Sequence, residues 1–191
     1  SLGRRLTWPD DYFTLLTEAS FQQYKMHQWG FFIMPDGNST NAFFKTVLSR
    51  NSIDQPIFPR SGAQMTLSIQ ITPPVSIINN SLLNKNIDYK NPDLPLQDRY
   101  RWAEYHKWKF TSAWYTRIVQ NLVLYNKFGF GFLGMFNKDV GAAPFERFYL
   151  GGSGLTGFAL DGREIIALRG YDDQSLSSRT GAPIIAKYTW E

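Results

Sequence analysis

The chain has 191 residues, 16% of them aromatic and 19% charged, and it contains no cysteine. This aromatic excess is unusual for a soluble core and indicates a surface that meets lipid. No run of about 18 apolar residues occurs, so a membrane-spanning helix is excluded and any spanning part must consist of strands. The net charge is +4 and the basic residues are scattered, which argues against nucleic-acid binding.

Six segments alternate apolar and polar residues with the two-residue period of a β-strand. In chain order they cover residues 11–26, 41–49, 64–72, 105–118, 122–136 and 182–191. A soluble sandwich would alternate too, so the period alone does not decide which face meets lipid. Several segments reach about 10 to 15 residues, however, which is long for a globular strand and enough to cross a bilayer at a tilt. The pattern favours membrane strands.

The two faces of the later segments differ in chemistry. One face of segment 105–118 is aromatic, and the opposite face is charged. The side chains predicted to line a lumen are Lys107, Lys109, Arg117 and Lys127. Gly129 and Gly131 fall on this lumen face as well, either simply as small residues or as space for a returning loop.

Short turns and long loops alternate between the segments, which is typical of transmembrane barrels. The turns near 55–62 and 120–121 are short, whereas the loops near 73–104 and 137–181 are long. If residues 120–121 face the periplasm, the longest loops are extracellular. The sequence therefore predicts an all-β fold that is part of a transmembrane antiparallel β-barrel.

The last long loop contains Leu168-Arg169-Gly170-Tyr171. This run resembles the Val-Arg-Gly-Phe/Tyr tip of the sixth extracellular loop in the BamA-TamA superfamily of outer-membrane proteins. Residues 144–153 are similar to the lead-in to that loop, and residues 50–54 and 58–62 to a turn before a central strand. The opening at residues 6–13 looks most like the Bacteroidetes branch. The resemblance covers essentially the whole chain.

The resemblance implies a sixteen-stranded barrel of which these six strands are roughly the seventh to the twelfth. We therefore expect residues 1–191 to be a partial C-terminal barrel domain. The periplasmic POTRA repeats and the first and last barrel strands would lie outside the chain. No secretion signal is present at the start, which also suggests a longer polypeptide.

The function that the resemblance implies is insertion and folding of outer-membrane proteins without ATP, in the bacterial outer membrane. The implied partners are client β-barrel proteins, accessory subunits of the assembly machinery and outer-membrane lipids. No cofactor, metal or catalytic residue is expected. Two alternatives stay open, a two-partner-secretion transporter and a passive porin whose lysines select anions. A soluble lipid-binding β-domain is a weaker third reading.

The resemblance also assigns roles within the loop. The loop folds back into the barrel, and Arg169 meets acidic residues on strands beyond Glu191. A planar guanidinium suits this task because it pairs bidentately with carboxylates. Leu168, Gly170 and Tyr171 complete the docked motif. The glycines expected to form a flexible shoulder that turns the loop inward are Gly151, Gly152 and Gly154. A surface loop with a chance Arg-Gly-Tyr is the plain alternative.

Other candidate sites are weak. The chain has two histidines, no cysteine and no Gly-x-Ser-x-Gly motif, so enzymatic catalysis is not expected. Four acidic residues flank the loop motif but fit no calcium-loop spacing, and a solvated loop face is the expectation for them. They are Asp161, Glu164, Asp172 and Asp173.

Overall fold

A computed structural model describes residues 1–28, 35–82, 87–143, 145–152, 163–178 and 180–191. The strands are β1 Leu2–Arg5, β2 Phe13–Met26, β3 Gly37–Asn51, β4 Gly62–Ile71, β5 His106–Val119, β6 Leu122–Gly134, β7 Phe148–Leu150, β8 Glu164–Ile166 and β9 Ile184–Trp190. The helices are α1 Val75–Leu82 and α2 Leu96–Arg99. Within these described ranges, no helix has the length and apolar character needed to cross a bilayer.

Seven strands form one antiparallel sheet in the order β1-β2-β3-β4-β5-β6-β9. Each strand from β1 to β6 pairs with the next in the chain, and β9 pairs with β6. Strands β2 and β5 have 14 residues each and β3 has 15, so the predicted long strands are confirmed. The all-β antiparallel fold is confirmed with them. In the described part of the chain the sheet is open, with β1 and β9 at its edges.

Strand β1 was not among the six predicted strands. Its sequence, Leu-Gly-Arg-Arg, has no alternation, and all four residues are exposed. It extends the sheet because the free edge of β2 offers backbone groups, with Leu2 opposite Thr17 and Arg5 opposite Thr14. Pairing to a neighbouring strand, rather than local pattern, makes this segment a strand.

The two predicted long loops contain structure of their own. Helices α1 and α2 lie in the connection from β4 to β5. The connection from β6 to β9 contains β7 and β8, which pair in parallel and form a separate two-stranded sheet. These loops join the strands at the end that we call the loop end of the sheet, and the short connections lie at the opposite, turn end.

The two faces of the sheet invert the usual arrangement of a soluble β-protein. One face, which we call the outer face, exposes large side chains such as Phe21, Trp108 and Tyr188, which are 70, 40 and 64% exposed. The opposite, inner face buries polar residues, and Asn41 and Lys107 are 0 and 2% exposed. An apolar exposed face and a polar buried face are typical of a transmembrane barrel wall.

Loop residues pack on the inner face at the loop end. Phe145 and Phe148 are each 1% exposed and belong to one apolar cluster with Tyr105 and Leu133. The ring of Tyr24, on β2, stacks on Phe145 at 4.8 Å between centroids. The described parts of the loop from β6 to β9 therefore fold over the inner face, as the resemblance implied.

We predict that Gly131→Ala destabilises the packed loop by about 1 to 3 kcal/mol, because overpacking a filled site costs this much. A Cβ at Gly131 would lie 2.6 Å from Phe148 Cζ and 2.9 Å from Ile185 Cγ2. The free energy of unfolding from vesicles in urea measures the effect. Gly129→Ala is the matched control, since its Cβ would meet atoms at 3.9 and 4.0 Å. Equal stability of the two variants would contradict the prediction.

Candidate functional site

The loop is fixed to the inner face by four charged side chains, which we call the charge clamp: Lys107, Lys109, Glu146 and Glu164. Lys107 Nζ lies 2.8 Å from Glu146 Oε2 and 2.5 Å from Glu164 Oε2. Lys109 Nζ lies 2.9 Å from Glu164 Oε1. Lysines 107 and 109 share a face because side chains two apart on a strand point the same way. Glu164 therefore bridges both with its two carboxylate oxygens.

The centre of the clamp is buried. The side chain of Lys107 is 2% exposed, and its ammonium lies 4.9 Å from the centre of the Phe148 ring. Burial by itself would raise the pKa of Glu164, but the positive charges of Lys107 and Lys109 outweigh burial and hold that pKa below its ordinary value. Glu164 therefore stays ionised and keeps the buried lysine neutralised.

Beyond β8, the chain follows the inner face from the loop end towards the turn end. Lys187 on β9 donates a hydrogen bond to the Ala167 carbonyl. Two residues further on, Arg169 Nη1 lies 3.8 Å from Glu191 Oε1. Lys187 and Glu191 lie on the inner face of β9 and its extension, with Thr189 between them. The loop contacts therefore run along the wall in chain order.

The shoulder glycines and the loop motif form one hydrogen-bonded unit. Gly152 N donates to the Tyr171 carbonyl at 3.0 Å, and Leu168 N donates to the Gly152 carbonyl at 3.0 Å. Gly152 has φ of +89°, and a Cβ there would lie 1.5 Å from Asp173 Oδ1. Gly151 has φ of +126°, and a Cβ there would lie 2.4 Å from the Asp172 carbonyl oxygen. Both positions therefore require glycine. That they form a flexible shoulder stays a prediction, and Gly154 lies outside the described residues.

The motif presents its arginine to solvent. The Arg169 side chain is 96% exposed, so its contact with Glu191 is a weak surface pair. Tyr171 is 52% exposed, and Gly170 adopts φ of +84°, which a glycine tolerates without strain. Docking of the motif against strands beyond Glu191 stays a prediction.

The predicted lumen residues have three different surroundings. Lys107 and Lys109 take part in the clamp, whereas Lys127 lines a cavity on the same face. Arg117 is exposed near the turn end of β5.

Two clamp residues were missed by sequence reasoning. Glu146 was read only as part of a lead-in motif, and a solvated loop face was wrongly expected for Glu164, which instead bonds both lysines. The available signal was charge complementarity between two loop acids and two lysines on a predicted inner face. That signal does not identify which acids pair, because Lys107 and Glu146 are 39 residues apart in the chain, and Lys109 and Glu164 are 55 apart.

An antiparallel sheet with an apolar outer face, a polar inner face and a long loop folded against it defines an outer-membrane β-barrel protein. The Omp85 superfamily domain matches residues 1–191, and the chain belongs to that superfamily. Its members are outer-membrane proteins of bacteria and organelles that insert or secrete proteins and are not enzymes. Comparison with curated proteins and with solved structures gave no significant match.

We predict that Lys107→Gln weakens attachment of the loop by about 3 kcal/mol, because removing one partner leaves buried carboxylates without their counter-charge. Protease cleavage within residues 145–150, at fixed folding of the sheet, measures the release. Lys109→Gln is the comparison, and about 1 kcal/mol or less is expected there because that side chain is 34% exposed. If Lys109→Gln released the loop as readily as Lys107→Gln, the central role of Lys107 would be wrong.

Loop attachment should also depend on pH. The pKa of Glu164 in the folded protein lies below its ordinary value of 4.5. The ionised form therefore contributes stability that is complete above pH 4.5 and is lost as the pH falls through the lowered folded value. Hydrogen exchange of the backbone amides at 164–168, corrected for the intrinsic pH dependence, should speed up only below pH 4.5. Glu164→Gln should remove this dependence, and an unchanged profile in that variant would exclude Glu164 as its source.

Proposed function

We propose that this chain is the central part of a BamA-type assembly factor, which folds client β-barrel proteins into the bacterial outer membrane without ATP. The observation that carries the proposal is the loop held along the inner face by the charge clamp, with Leu168-Arg169-Gly170-Tyr171 at its tip. The loop is bonded to the wall at its base, and its tip is bonded to Gly152. These contacts support a functional role for the loop rather than that of an ordinary surface loop.

The exposure of Arg169 supports a docking role for its side chain. Its backbone neighbours are fixed by hydrogen bonds to Gly152, whereas the guanidinium is 96% exposed and touches Glu191 only at 3.8 Å. We propose that acidic residues on further inner-wall strands complete its pairing. A bidentate contact there would be stronger than the contact with Glu191, because charge-assisted pairs with good geometry contribute more free energy than exposed pairs.

The open edges of the sheet support the presence of further strands in the functional protein. Strands β1 and β9 have unpaired edges in the described chain, and unpaired backbone groups each cost several kcal/mol in hydrocarbon. We propose that a sixteen-stranded barrel and periplasmic POTRA repeats complete the protein. In it, this chain would supply the stable back wall, while client strands, accessory subunits and outer-membrane lipids act at surfaces outside it.

A secretion transporter of the same superfamily is the alternative, and a passive channel is a second one. The lysines on the inner face favour anion passage through such a channel. Against it, the apolar cluster around Phe145 and Phe148 fills the loop end of the inner face. Because the loop end of the inner face is filled, a structural role for the loop is favoured over an open pore.

We predict that Arg169→Ala lowers assembly of client barrels roughly tenfold, because a charge-assisted contact is worth about 1.5 to 3 kcal/mol. The measurement is the rate at which client proteins become heat-modifiable after the complete protein is reconstituted in vesicles. Arg4→Ala is the control, since Arg4 is also exposed and lies far away on the edge strand β1.

Normal assembly by Arg169→Ala would argue against the assembly-factor proposal. If that variant instead raised the ionic conductance of the vesicles while client assembly never occurred even with the unaltered protein, the channel alternative would replace it.

A further inference from the structure

A cavity of about 450 Å³ lies between the inner face and the loop segment around β8. Its walls come from β3, β4, β5, β6 and β9, and Glu164 to Ala167 cover it. This volume is within the range of small-molecule binding sites, which starts at about 300 Å³. The cations that line it are Lys45, Lys109, Lys127 and Lys187.

The charges around the cavity do not balance. Glu164 is the lining carboxylate, and its oxygens are taken by Lys107 and Lys109. Lys45 and Lys127 form no salt bridge within the ranges that the structure describes, although Glu18 is opposite Lys45 in register. Lys187 donates to a backbone carbonyl, which carries no net charge. Among the described residues that line the cavity, positive charge is therefore in excess.

Two of these lysines are close to each other. In the pairing of β6 with β9, Lys127 is opposite Thr189 and Gly129 is opposite Lys187. Lys127 and Lys187 are therefore diagonal neighbours on one face, at about 7 to 8 Å between Cα atoms. Since both side chains start from the same face, an anion above this part of the sheet would be attracted to two positive charges.

The remaining lining residues suit an anion with oxygen atoms. Thr111 and Thr189, which are opposite Gly129 and Lys127 in register, also line the cavity and carry hydroxyl groups. Gly129 leaves open space on the sheet side of the cavity, because a Cβ at this position would have no neighbouring atom closer than 3.9 Å. The lining cations in the described chain are all lysines, and lysine commonly binds phosphate as a compact point charge with three donor hydrogens.

We propose that this cavity binds a phosphate group between Lys127 and Lys187, with Lys45 adding positive potential from the opposite wall. The phosphate could belong to a free phosphorylated molecule or to a lipid headgroup, since both present the same oxygens. Bound there, it would connect β6 and β9 with the loop above them. This site is independent of client assembly, so its test does not rely on the proposed function.

The test is calorimetric titration of the complete protein in neutral detergent with pyrophosphate at low ionic strength. We expect binding that Lys127→Gln weakens about tenfold, as for loss of one charged contact, and that Lys127→Arg largely retains. Lys25→Gln is the matched control, because Lys25 is an exposed β2 lysine that does not line the cavity. Gly129→Leu should abolish binding by filling the space on the sheet side of the cavity without changing the charge.

A second arm identifies the source of the phosphate. The protein is placed in phosphatidylcholine nanodiscs with or without phosphatidylglycerol, and its lysines are observed by NMR after ¹³C-methylation. A Lys127 shift only with phosphatidylglycerol, reversed by pyrophosphate, indicates a headgroup; a shift with pyrophosphate alone indicates a free molecule. The proposal is overturned if neither probe binds, or if Lys25→Gln weakens binding as much as Lys127→Gln. Heat-modifiable migration confirms that each variant is folded.

Discussion

A buried lysine ammonium is the interaction on which the arrangement of the loop depends. Lys107 is 2% exposed, and an unpaired charge at such a site would cost several kcal/mol. The loop supplies Glu146 and Glu164 as counter-charges, so the wall and the loop need each other. Moving the loop away would leave buried charges unpaired, and this free-energy cost keeps the loop on the inner face.

Between this base and the tip, the path of the loop depends on two glycines. Gly151 and Gly152 adopt positive φ, and the chain after the motif packs where their side chains would be. Gly152 is bonded to residues on both sides of the tip, so the exposed position of Arg169 is a consequence of backbone constraints. Backbone hydrogen bonds on both sides of the tip orient the chain that carries the arginine, so less conformational entropy is lost when the arginine pairs.

The same inner face carries the clamp, the contact of the loop tip and the cavity, and Lys109 and Glu164 belong both to the clamp and to the cavity lining. The clamp uses the lysines nearest the loop end, the tip contacts the wall near Glu191, and the cavity between them leaves Lys45 and Lys127 unpaired in the described chain. The outer face contributes aromatic contact with lipid. This arrangement fits the wall of an Omp85 barrel, whose interior is polar and whose outer surface is apolar.

Sequence alone determined the long strands, their two faces and the position of the loop motif, because alternation with period two is a local property. It also placed Lys107 and Lys109 on the inner face. Only the tertiary structure decided that β1 joins the sheet, that Gly152 bonds the motif, and that Glu146 and Glu164 neutralise these lysines. The physical reason is distance along the chain: the lysines bond acids 39 and 55 residues away, and folding, not local pattern, chooses among the acids available.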